Sequence, residues 1–390
     1  MKLVVVLSRV PYPLEKGDKL RAYHQIKHIA KANEVHLLCV TDQKVDKSSL
    51  DHLSNIVESI QVFQLPKWRI LLNLFFGLLG DWPLQVHYFY QRSVRKKMHR
   101  CINQIAPDHV FCQLIRTSEY VKDLHQYPKT LDYMDAFSKG IERRVLNEPW
   151  WKKWLLKIEQ KRLVNYENLI FDYFDNHTII SEQDRRFIYH AKRDDIHVIR
   201  NGVDATFFGI ERQEDPKLVL LFTGNMSYPP NVDCAQYLAQ DVMPLVWKQQ
   251  PSAELRLAGA NPHQKVTELA SEKVVVTGWV DDIREEYAKA SIFVAPMRMG
   301  TGLQNKLLEA MSMELPSVTS ALANNALQAQ PDHDVLIGND AQEVASKILE
   351  LIADEDKQKA IAKAGKEYVT KRFTWEGTVE QLEKVLQGTS

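Results

Sequence analysis

Four cysteines in 390 residues, none in a Cys-x-x-Cys pair, leave no thiol framework for a zinc site or a disulfide-stapled fold. Cys39, Cys101, Cys112 and Cys234 fall mostly in apolar runs and read as reduced core residues of a cytoplasmic protein. Charge is balanced, with 50 Lys+Arg against 50 Asp+Glu, so nothing in it points to a nucleic-acid partner. No apolar run approaches the ~20 residues that span a bilayer. Met1 to Val10 reads as a short strand running into prolines, not as a secretory leader. A P-loop is excluded too, because no Gly-Lys-Ser/Thr follows a glycine turn at the required distance.

What is present is an alternation of strands and helices long enough for two or three domains. Strands are expected at Leu3–Leu7, Val35–Val40, Ile60–Leu65, His109–Cys112, Thr130–Asp135, His177–Ser181 and Ile196–Ile199. A helix after Gly17 carries His24 and His28 one turn apart, without a third ligand to make a metal site. Asn201-Gly202-Val203-Asp204 and the charged run at 211–217 break the pattern and mark a domain boundary. The alternation then restarts with strands at Leu218–Phe222, Glu254–Ala258, Val274–Thr277 and Ser317–Ser320, several ending at a glycine. That habit belongs to a doubly wound parallel sheet whose loops converge on one ligand.

The stretch Ala295–Pro316 carries the most chemistry. A buried strand leads through Gly300-Thr301-Gly302 into a segment with Leu303, Leu307, Ala310 and Met311 at helical spacing. Thr301 is the expected N-cap, and a helix start behind two glycines suits phosphate. Arg298 and Lys306 add cations on either side of the turn. Glu309, with two acceptor oxygens, suits a vicinal diol such as a ribose. Phosphate at the turn and a diol at Glu309 together describe a nucleotide-sugar site; a plain strand–turn–helix with a solvent glutamate fits the same pattern.

Two further stretches carry no such motif. Trp68 to Leu79 is apolar on nearly all sides, Arg92, Arg95, Lys96, Lys97 and Arg100 form a basic cluster, and Trp150, Trp151 and Trp154 alternate with lysines. These read either as a buried helix with solvated basic faces or as peripheral contact with an anionic membrane.

Gly224-Asn-Met-Ser-Tyr-Pro-Pro-Asn231 and Gly302-Leu-Gln-Asn-Lys-Leu-Leu-Glu-Ala-Met311 resemble motifs of the GT-B glycosyltransferases, within glycosyltransferase family 4 (glycosyl transferases group 1). Asn201-Gly202-Val203-Asp204 and Phe373-Thr-Trp375 extend the resemblance over essentially the whole chain. It implies an α/β GT-B fold, two Rossmann-like doubly wound parallel-sheet domains facing across a cleft. Residues 1–203 would bind acceptor, 204–372 would bind the nucleotide sugar, and 373–390 would form a helix returning to the first domain. The implied reaction is hexose transfer, with retention, from a UDP- or GDP-sugar to a glycan or lipid-linked acceptor in surface polysaccharide or glycoconjugate synthesis. No metal or other cofactor is implied.

By the same resemblance Glu309 binds the ribose, and Gly300, Thr301, Gly302 and Leu303 supply amides to the diphosphate or donor sugar. Gly17 packs against the diphosphate, Gly278 and Val280 line the base pocket, and Gly224 and Asn225 open the donor loop. Asp135 stands where many relatives place a histidine near the sugar ring. Thr301 replaces a first glutamate, and Asn225 with Pro229-Pro-Asn231 replaces an Arg and a Lys, so Lys306 and Arg298 are assigned to the diphosphate. Those departures leave room for a non-catalytic nucleotide-sugar-binding protein. A GT-B epimerase or phosphorylase is a further alternative, the latter requiring a pyridoxal lysine that no motif identifies.

Overall fold

The computed structural model describes residues 1–14, 16–147, 149–208, 217–299 and 302–388. It divides into two compact units, Met1–Arg200 with Trp375–Ser390, and Asn201–Thr374. The units divide at 200/201 and 374/375; the resemblance implies 203/204 and 372/373. Most of the charged run at 211–217 lies outside the described residues.

The first unit is a seven-stranded parallel sheet: β1 Lys2–Leu7, β2 Glu34–Thr41, β3 Ser59–Gln64, β4 His109–Gln113, β5 Lys129–Asp132, β6 Asn176–Ile179 and β7 His197–Val198, in the order β3-β2-β1-β4-β5-β6-β7. Strand β1 shows why the sheet is buried on both faces. Side chains alternate across a strand, so Leu3, Val5 and Leu7 pack with Tyr23, Ile26, Val379 and Leu382 on one side. Val4 and Val6 pack with Met98, Ile102 and Val110 on the other. A run apolar at every position is what helices on both faces require.

The helix Gly17–Ile29 is tied to the sheet by Arg21, whose guanidinium grips Asp132 at 2.7 and 3.2 Å with both side chains wholly buried. Thr178 donates a further bond to Asp132 at 2.9 Å. His24 stacks on Trp375, ring centroids 4.9 Å apart, and His28 lies 3.5 Å from Glu376, so the histidine pair serves packing of the helix Trp375–Gln387.

The second unit repeats the plan with β8 Val219–Thr223, β9 Glu254–Ala258, β10 Val274–Gly278, β11 Ile292–Ala295, β12 Ser317–Thr319 and β13 Leu336–Ile337, in the order β10-β9-β8-β11-β12-β13. Both sheets therefore change direction of winding beside their first strand, at β1/β4 and at β8/β11. Ligands of such sheets bind outside the carboxyl ends of the strands at that point.

Three sequence expectations are corrected. Strand β5 ends at Asp132, so Asp135 lies three residues beyond it, past Met134 at φ +61°. The helix behind the glycine turn starts at Asn305, with Gln304 at the N-cap making no side-chain cap bond. Leu303 thus precedes it, packed at the edge of the core, while Leu307, Ala310 and Met311 keep the buried face. The two-residue strand β13 at the sheet edge has no counterpart among the expected strands.

Candidate functional site

In the second unit three adjacent strands end in glycine or run directly into one. Gly224 N–H donates to Ala258 O at 3.0 Å and Gly259 N–H to Gly278 O at 3.1 Å, so Gly224, Gly259 and Gly278 form a row along the carboxyl edge. Two of them have no substitute. Gly259 holds φ +140°, and a Cβ there would stand 2.0 Å from Gly224 O. Gly224 holds φ +150°, and its Cβ would stand 2.6 Å from Asn231 Nδ2 and 3.0 Å from Lys306 Nζ. The backbone approaches those polar atoms because no side chain stands between.

Lys306 and Glu309 project from one face of the helix Asn305–Ser312, three residues apart. Lys306 Nζ donates to Asn231 Oδ1 at 2.6 Å and lies 4.3 Å from the Phe222 ring centroid. Asn231 in turn donates to Asn225 O at 2.9 Å, which fixes the turn after β8. Asn225 Oδ1 accepts from Ser227 N–H at 3.0 Å. Desolvation pushes the Lys306 ammonium down to about 8, against the pull of Glu309. Glu309 Oε2 accepts from Tyr287 at 2.8 Å, and Tyr287 lies 2.7 Å from the Thr223 hydroxyl. Among the described residues Oε1 has no hydrogen-bond partner. Burial pushes the Glu309 carboxyl up, while Tyr287 and Lys306 hold it down. The result is a cation with donors to spare and a carboxylate with a free oxygen, at the carboxyl ends of β8 and β11.

Arg298, three residues past the end of β11, is engaged elsewhere. It makes a bidentate pair with Asp233 at 2.7 and 3.1 Å and lies 4.2 Å from the Tyr237 ring, both on the helix Pro229–Tyr237. Gly302 is partly buried with open space where a Cβ would be, Leu303 is partly buried, and Gly300 and Thr301 lie outside the described residues. Gly278 ends β10 at φ +69°, with Val280 partly buried two residues on. Asp282 caps the helix Ile283–Lys289 and pairs with Arg284 at 2.5 Å. No cluster of three or more His, Cys, Asp or Glu with metal-site geometry occurs among the described residues. Asn231 and Tyr287 are the site residues that sequence reasoning left without a role. Asn231 closes one quoted motif, whereas Tyr287 sits in a helix with no motif at all.

The first unit places its polar groups at its own switch point. Arg9 follows β1 and pairs with Asp18; Arg116 follows β4, bonds Gln85 Oε1 at 2.9 and 3.1 Å, and lies 4.0 Å from Asp18. Burial and the neighbouring Arg9 push Arg116 down to about 10, still protonated at neutral pH. Asp135 reaches solvent, yet desolvation by the surrounding protein and the carboxylate of Asp184 push it up to about 7, against Arg116. Gly17 opens the helix Gly17–Ile29 with open space around it.

Residues 217–354 match the family described as Glycosyl transferases group 1. The chain is 22% identical over 388 residues to an uncharacterized 44.6 kDa protein in the cps region of Klebsiella pneumoniae, covering 93% of each. It is 27% identical over 162 residues to a GDP-mannose-dependent alpha-(1-6)-phosphatidylinositol monomannoside mannosyltransferase of Mycobacterium tuberculosis, covering 37% of this chain and 42% of that protein. A sucrose-phosphate synthase from Thermosynechococcus elongatus shares the fold with TM-score 0.70 at 14% identity, covering 100% of this chain and 99% of that one. Anabaena HepE in complex with UDP and glucose gives TM-score 0.68 at 15% identity, covering 98% and 99%. The two-sheet architecture is that of the GT-B fold.

Proposed function

We propose that this chain, which is a glycosyltransferase of GT-B fold, moves a hexose from a nucleoside diphosphate donor to a glycan or lipid-linked acceptor. The observation that carries the reading is the placement of Lys306 and Glu309 on one face of the helix that follows β11, at the β8/β11 switch point. Lys306 Nζ meets the diphosphate, and Glu309 Oε1 accepts from a ribose hydroxyl. Arg298 adds charge to the diphosphate by leaving Asp233. Gly224, Asn225, Gly278, Val280 and the 300–303 segment line the donor. As the sugar–phosphate bond breaks, negative charge grows on the leaving diphosphate, and a preformed cation is the largest help a protein can give. Asp135 is assigned as the catalytic carboxyl of the first unit, beside Arg116 and Asp184.

Membership of glycosyltransferase family 4 and transfer with retention are part of this reading. The relative in the Klebsiella cps region supports a role in surface polysaccharide synthesis. Arg9 and Arg116, two guanidiniums facing one aspartate, support an acceptor that carries phosphate. The base stays open between uridine and guanosine, since one relative is GDP-mannose-dependent and one structural neighbour holds UDP.

The test is release of nucleoside diphosphate from a panel of UDP- and GDP-hexoses, with and without lipid-phosphate acceptors. Turnover with one donor, lost in Lys306→Ala and Glu309→Ala, supports the reading. Donor binding without turnover, with or without acceptor, would overturn the proposed hexose transfer. An inverted product anomer by NMR would overturn retention alone.

A further inference from the structure

The helix Lys67–Gly77 is built inside out. It buries Ile70 and Gly77 and turns Trp68, Leu71, Leu72, Phe75 and Phe76 to solvent, and the chain leaves it through Leu79, 89% exposed. Contiguous exposed apolar surface of this kind marks an interaction site. The helix is not loosely held. Arg162 donates to Gly77 O at 2.9 Å and Leu78 O at 2.8 Å, and Asn73 donates to Tyr90 O at 2.6 Å. Gly77 lies so close to the His87 ring that a Cβ there would stand 2.7 Å from it. The apolar side is therefore fixed facing outward.

The charge around it is mostly positive. Arg69 donates to Ser93 at 3.0 Å, joining this helix to the helix Arg92–Ile105, which carries five Lys and Arg and no acid. Arg92, Lys96, Lys97 and Arg100 are exposed. Through Arg162 the apolar helix also meets Trp150–Phe171, whose Trp150, Trp154 and Ile158 repeat every four residues on an exposed face beside Lys157 and Lys161. Of the acids nearby, Asp123 is paired with Arg95 and Glu159 is buried on the amides of Leu84 and Gln85, leaving Asp81 exposed.

We propose that this face docks on an anionic lipid bilayer, with the helix Lys67–Gly77 lying in the interfacial layer. Eleven residues make a helix about 16 Å long, about half the hydrocarbon thickness, so it lies along the surface and does not cross it. Its rings and leucines enter the acyl boundary while the flanking cations meet lipid phosphate. A second copy of the chain is the poorer occupant, because apposing this face to itself sets cations against cations. The proposal stands apart from the catalytic reading, since none of these residues belongs to the donor site.

Vesicle flotation of the full chain tests it. The protein should float with vesicles containing phosphatidylglycerol, weakly with phosphatidylcholine alone, and less at high salt. The double variant Phe75→Ser/Phe76→Ser should lose about tenfold or more of the binding, with an unchanged melting temperature because both rings are already exposed. Lys96→Glu/Lys97→Glu should weaken binding to the anionic vesicles. Three results overturn the proposal: no flotation of the wild-type chain, flotation of the Phe75/Phe76 variant equal to wild type, or a solution dimer that this variant dissociates while vesicles stay bare.

Discussion

Replacing Lys306 with methionine should stabilise the second unit while destroying donor binding. Desolvation holds the ammonium at about 8 against its ordinary 10.5. At ~1.4 kcal/mol per pH unit, the charged form costs the fold about 3 kcal/mol at pH 7. Methionine removes that cost but deprives Asn231 Oδ1 of its donor, a loss of about 1–2 kcal/mol. The expected net gain is about 1–2 kcal/mol at pH 7. The pH dependence gives the sign. Below pH 8 lysine is protonated in both states and the whole cost is present. Between about 8 and 10.5 the unfolded chain keeps a proton that the folded chain has shed, so wild-type stability rises with pH. Above 10.5 only the lost hydrogen bond separates the two proteins, and the variant becomes the less stable. Urea unfolding read by mass spectrometry on peptides from β8 and the helix Asn305–Ser312 reports the second unit alone. A variant less stable at pH 7, or a difference that ignores pH, would refute the reasoning.

Glu309→Gln should raise the donor KM about 10–100-fold, the size of one hydrogen bond to a charged group, as steady-state kinetics would show. Tyr287→Phe removes the donor that holds the Glu309 carboxyl down; the acid limb of the pH–rate profile should move to higher pH. Gly259→Ala forces a Cβ to 2.0 Å from Gly224 O at φ +140° and should cost more than ~3 kcal/mol, seen as lost soluble expression or a collapsed melting transition. Asp132→Asn removes the buried carboxylate that both Arg21 and Thr178 bond and should cost about 3–5 kcal/mol in the first unit, measured by the same peptide-resolved unfolding.

Much of the fold was legible because buried parallel strands leave uninterrupted apolar runs: Leu3–Leu7, Val35–Val40 and Glu254–Ala258 all lie within strands of the structure. The boundary of the helix at Asn305 was not, since Leu303 continues the helical spacing although the backbone has not yet turned. Nor could periodicity decide whether Trp68 to Leu79 was buried. An all-round apolar pattern has no preferred face, and exposure is set by what Arg162 and His87 do from distant parts of the chain. Lys306 and Glu309 stood out as charges behind a glycine turn. Their partners did not, because Asn231 and Tyr287 reach them from separate elements, and no local spacing records such a meeting. The pairing of Arg21 with Asp132, 111 residues apart, was hidden in the same way. In the first unit, Arg9 and Arg116 lie after strands with no motif around them.

The most direct test of the account is proton uptake when UDP or GDP binds, measured by titration calorimetry in buffers of different ionisation enthalpy. If the diphosphate lands on Lys306, its ammonium is restored to an ordinary pKa. Uptake should then grow from pH 7 toward one proton per site by pH 9, with a midpoint at about 8. Nucleotide that binds with no proton uptake across this window, or that binds the Lys306→Met variant as tightly, would contradict it.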